Sequence, residues 1–91
     1  QTGSSGLLVS IDDLLSDGDY DEARRRILGA IMGDAAGDEI PLLYLVRGLV
    51  MSAEGNTIEA INNTCHALSL GLPKDAQRFA LSLLTELRGS C

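Results

Sequence analysis

From Ile40 to Met51 the chain runs twelve residues with a single charge, Arg47. Ile40, Leu42, Leu43, Tyr44, Leu45, Val46, Leu49, Val50 and Met51 leave no side of a helix polar. Twelve residues are too few to span a bilayer, which takes about 20. A helix that is apolar all round must instead be buried all round, so the rest of the chain has to be arranged about it. The segment is expected to begin near Asp38, with Pro41 in its first turn, where a missing N–H does no harm. It is expected to end near Glu54, with Gly55 as its stop. The chain has 91 residues and aromatics make up only 3% of it, so one domain is expected, its core built from Leu, Ile, Val and Ala.

The remaining periodicity is helical too, which predicts an all-α fold of five segments. The first runs from about Leu7 to Ser16. The second runs from Tyr20 to Met32, with Tyr20, Ala23, Ile27, Ala30 and Ile31 on one face. Asp19 is its expected N-cap, and Glu22, three residues on, completes a capping box. The fourth runs from Thr57 to Leu70, capped by Asn56 with Glu59, and Ile58, Ile61, Cys65, Leu68 and Leu72 form its apolar face. The fifth opens at Pro73 and runs to Arg88, with Ala76, Phe79, Ala80, Leu83 and Leu87 as its face and Gly89 as its stop. Short loops between amphipathic helices predict antiparallel neighbours. Residues 1–6, without charge or apolar side chain, are read as an appended or disordered linker, and residues 7–91 as a single helical-repeat domain.

Gly18-Asp19-Tyr20-Asp21-Glu22-Ala23 repeats as Gly55-Asn56-Thr57-Ile58-Glu59-Ala60, 37 residues later. In each copy Gly ends one helix, Asx opens the next, and Ala lets the two approach closely. With Ala30 and Ala67 seven residues further on, Tyr44, Gly48 and Met51 on the third segment and Pro73 closing the second unit, the sequence resembles the tetratricopeptide-repeat family. The resemblance covers residues 7–73 and implies two antiparallel helical hairpins with the fifth helix as a C-terminal cap. It also implies that Tyr44, Gly48 and Met51 face the core. An unrelated five-helix bundle is the alternative.

The net charge is −6, which argues against nucleic acid, since phosphate binding needs clustered cations, and against an anionic membrane surface. Residues 1–39 carry 9 acidic and 3 basic residues, so the acidity belongs to the first hairpin. Arg24-Arg25-Arg26 is the one basic run and is expected to be solvated or paired with Asp21 and Glu22. Two cysteines make no disulfide framework, so a reduced, cytoplasmic protein is expected, with Cys65 a small buried hydrophobe. Neighbouring helical residues point about 100° apart, so Cys65 and His66 do not share a metal or act as nucleophile and base. The aspartates from Asp12 to Asp21 fail the calcium-loop pattern, because Asp17 stands where Gly is required and Ala23 where Glu is required. No catalytic residue, metal site or cofactor is implied, and the chain is not expected to be an enzyme.

If Tyr44, Gly48 and Met51 face the core, Leu42, Leu45 and Leu49 face a concave groove, joined by Leu8 and Leu15 with Asp12 between them. Such a groove would take an amphipathic helix of a partner protein, and an acidic edge would favour a helix flanked by Lys or Arg. Among small proteins of this build, the chain looks like the co-chaperones of type III secretion needle subunits, through Gly18-Asp19-Tyr20 and the stretch Pro73 to Leu87 with Gln77, Phe79 and Leu87. That likeness implies a cytoplasmic chaperone or adaptor, acting beside a second small helical chaperone. The rival reading is a homodimerisation or scaffold domain of a larger protein.

Overall fold

The computed structural model describes residues 13–34, 37 and 39–91, and among them all regular structure is helical. Residues 13–17 form the described part of α1. It is followed by α2 (Tyr20–Gly29), a π-helical turn (Ala30–Asp34), α3 (Ile40–Ala53), α4 (Thr57–Leu70) and α5 (Lys74–Leu87). The radius of gyration is 12.2 Å, against about 12 Å for a packed chain of this length.

The two copies of the Gly-Asx turn close in the same way. At Gly18 (φ +78°) the Gly18 N–H donates to Leu15 O at 3.1 Å and the Asp19 N–H to Leu14 O at 2.8 Å. At Gly55 (φ +87°) the Gly55 N–H donates to Ser52 O at 3.0 Å and the Asn56 N–H to Met51 O at 2.9 Å. This is the Schellman pair, in which a left-handed residue turns two otherwise orphaned carbonyls back onto the chain. The same pair ends α5, with Arg88 N–H to Thr85 O at 3.1 Å and Gly89 N–H to Leu84 O at 3.0 Å. Here the left-handed residue is Arg88 (φ 58°), not the expected Gly89. The capping boxes do not form, since neither Asp19 nor Asn56 makes a side-chain cap bond. Glu22 turns outward to Arg25 and Arg26 instead. The second segment also leaves the α-helix earlier than expected, passing after Gly29 into the π turn. Gly29 and Gly33 weaken helix there.

α3 is the centre of the molecule, as its composition requires: every residue from 40 to 52 is buried or half-buried. On one side Leu43 and Val50 pack with Ala23, Ile27 and Ala30, flanked by Leu14, Leu15, Tyr20, Ile31 and Val46. The expected face of the second segment is therefore the one that is covered. On another side Leu45 packs with Ala67, Leu72, Ala80 and Leu83.

α4 corrects the expectation drawn from its large residues. Its buried residues are Ala60, Asn63, Thr64 and Ala67, whereas Ile58 is 73% exposed. The cause is the close approach of α3. A Cβ added at Gly48 would lie 2.6 Å from Thr64 Oγ1 and 3.1 Å from Ala60 O, so only small residues fit between these helices. Ile61, Cys65 and Leu68 are half-buried on a neighbouring face. On α5, Ala80 and Leu83 are buried as expected and Leu84 joins them, but Phe79 is 46% exposed.

The cysteines overturn the reduced reading, because Cys65 and Cys91 form a disulfide, with Cα atoms 5.5 Å apart across a sequence separation of 26. Folding brings residues 88–91 back along α4, a proximity that residue spacing does not reveal.

Candidate functional site: the open face of the central helix

A helix advances about 100° per residue, and that rotation separates the sides of α3. Leu43 and Val50 turn to α2, while Gly48 turns to α4. Leu45 enters the cluster built with α4 and α5. The direction left between the α2 and α5 sides belongs to Leu42, Val46 and Leu49, which lie within an arc of about 60°. All three are half-buried. Val46 flanks the α2 cluster, and Leu42 and Leu49 flank the α5 cluster, so the stripe runs along the seam between the two halves of the core. Ala53, one turn beyond Leu49, is exposed.

Leu42, Leu45 and Leu49 are the residues expected on an open groove. Leu42 and Leu49 keep partial exposure. Leu45 does not: it is 4% exposed and belongs to the core. Val46 takes its place on the accessible side. A stripe at i, i+3, i+7 and one at i, i+4, i+7 are equally good helical faces, and only the position of α5 decides between them. Leu15 is half-buried at the edge of the α2-side cluster. Leu8 and Asp12 lie outside the described residues.

Charges are drawn off this face. Arg47, in the middle of α3, donates from Nη1 to Asn63 Oδ1 at 2.9 Å, and Asn63 Nδ2 donates to Glu59 O at 2.8 Å. Its cation thus points to α4. The basic run of α2 is paired, as expected, with one addition. Arg24 meets Asp21 and also Glu54 at 2.8 Å, Arg25 meets Glu22 at 3.5 Å, and Arg26 meets Glu22 at 3.0 Å. The Arg24–Glu54 pair ties α2 to the end of α3, a long-range contact with no signal in the sequence. The bond from Arg26, with the nearby Arg25 charge, holds the Glu22 carboxyl below its ordinary value. Asp13 and Asp17 in α1 and Asp19 before α2 are exposed.

Among the described residues, no group of three or more His, Cys, Asp or Glu side chains could hold a metal ion. Cys65 is held in the disulfide. His66 is exposed and lies edge-on to Tyr44, with ring centroids 4.4 Å apart. Tyr44 is half-buried beside the α5 cluster, while Gly48 and Met51 are buried. No helix among the described residues is long and apolar enough to cross a membrane. No protein-family model, no curated protein and no solved structure matches this chain.

Proposed function

We propose that the chain is a protein-binding helical module of tetratricopeptide-like build, two hairpins and a capping helix, that takes an amphipathic helix of a partner along α3. The observation that carries this reading is the half-buried stripe Leu42, Val46 and Leu49, apolar and uncharged, running between two packed halves. The identical bonding of the Gly18 and Gly55 turns supports the repeat. A helix presenting apolar residues at i, i+4 and i+7 would match the stripe. The acidic first hairpin, net −6 over residues 1–39, would favour flanking Lys or Arg, chiefly in encounter rate and orientation.

The likeness to needle-subunit co-chaperones fits this mode of binding and is part of the proposal, as is the absence of catalysis. A cytoplasmic setting rested on reduced cysteines. The Cys65–Cys91 bond removes that premise and stands against the cytoplasmic setting that the co-chaperone likeness implies.

The test uses methyl-labelled protein and a designed amphipathic peptide with Leu at i, i+4 and i+7 and Lys at its flanks. Saturable shifts at the Leu42, Val46 and Leu49 methyls, abolished by Val46→Ser with Leu49→Ser while helicity is retained, are the expected outcome. Shifts elsewhere, or none at millimolar peptide, would sink the reading. Concentration-dependent shifts of the same methyls without peptide would replace it with self-association through this face.

A further inference from the structure

The segment following α5 is fastened to α4 in one covalent place. Arg88 and Gly89 make their backbone bonds back into α5, to Thr85 and Leu84. Contact with α4 comes from two neighbouring points. Gly89 lies against Ile61 so closely that an added Cβ would come within 3.0 Å of three Ile61 carbons. Cys91 is bonded to Cys65. Beside this crossing lies a solvent-open trough of about 560 Å³ between α4 and α5, with Leu68, Leu81 and Leu84 on its walls and both cysteines on its rim. Leu81 is 56% exposed, Cys91 is exposed, and Cys65 and Ile61 are half-buried.

We infer that the Cys65–Cys91 bond is a redox latch, a site of thiol–disulfide exchange that holds residues 88–91 across α4 and releases them on reduction. The reductant is a small dithiol. Its thiolate attacks the sulfur of Cys91, the more exposed partner, and the Cys65 sulfur leaves with the bonding pair and takes up a proton. The second thiol of the reductant then attacks the mixed disulfide, departs as a cyclic disulfide and frees the Cys91 thiol. Two electrons pass to the protein and the dithiol is oxidised by two. Once the bond is cut, only the van der Waals contact of Gly89 with Ile61 opposes separation from α4. When that contact parts, the α4 side of the trough opens and uncovers Ile61 and Leu68. The helical core has no part in the latch, since Leu45, Ala67, Ala80 and Leu83 pack beneath it.

The experiment compares air-oxidised protein with protein in excess dithiothreitol, by thiol counting, far-UV circular dichroism and hydrogen exchange read by mass spectrometry. The oxidised form is expected to show no free thiol and the reduced form two. Helicity should be unchanged. At labelling times too short for global opening, exchange should rise at least tenfold in residues 86–91 and on the Ile61 side of α4, and stay constant in α2. Cys91→Ser in air should reproduce the reduced pattern. Two free thiols in air, unchanged exchange on reduction, or loss of helicity in the reduced protein or in Cys91→Ser would each overturn the latch.

Discussion

At Gly48 α3 and α4 come close together, which sets how much a side chain there costs. Alanine would gain helix propensity of about 1 kcal/mol. It would also drive a methyl into Thr64 Oγ1, which is fixed by its own bond to Ala60 O at 2.7 Å. Overpacking of this kind costs about 1–3 kcal/mol. Gly48→Ala is expected to lose about 1 kcal/mol net and Gly48→Val about 3 kcal/mol, by urea denaturation, with Thr64→Ala restoring part of the alanine loss. The need for a small residue at position 48 was legible from the repeat. Its partner was not, because a polar Thr gives no sign that it faces a glycine. Glu22 offers a second test at this scale. Its carboxyl is held down first by the bond from Arg26 and then by the charges of Arg25 and Arg26. Its stabilisation is therefore complete above the ordinary glutamate value, about 4.3, and is lost as pH falls through the lowered folded value. Carboxyl carbon shifts should give Glu22 a midpoint below that of a glutamate in an unfolded peptide, and Arg26→Gln should raise it.

Among the helices, the buried face of α2, though not its cap or its end, read correctly from the sequence because one stripe of Ala and Ile meets one neighbour. α4 did not. Its large residues suggested one face, but the neighbour that approaches most closely, α3, demanded small ones. Ile58→Ser should therefore change stability by less than about 0.5 kcal/mol, although a reading by hydrophobicity ranks Ile58 as core. On α5 the contrast lies between neighbours in the same predicted stripe. Leu83→Ala is expected to cost about 2–5 kcal/mol, whereas Phe79→Ser, at a site 46% exposed, should cost about 1 kcal/mol or less. Thermal melts of the two variants would separate them. On α3, Leu45→Glu buries a charge and should unfold the protein, while Leu49→Glu should retain helicity. A folded Leu45→Glu would mean that α5 does not close over that side.

At the scale of the molecule, a core assembled from few aromatics is reinforced by a covalent bond. Closing a loop of 26 residues constrains the unfolded chain by about 3.5 kcal/mol on the loop-entropy model. Reduction should lower unfolding free energy by about that amount, measured by urea titration with and without dithiothreitol. Two core clusters take up most of the apolar surface of α3, and a narrow seam remains.

Helical periodicity, the two Gly-Asx turns and the burial of the Ile40–Met51 segment were set by the sequence, because each depends on residues within a turn or two of one another or on composition alone. The choice of Val46 over Leu45 for the open side, the small face of α4 and the pairing of Cys65 with Cys91 were decided by tertiary structure. Each depends on where a segment many residues away comes to rest, and amphipathic patterns that are locally equivalent do not encode which neighbour will arrive.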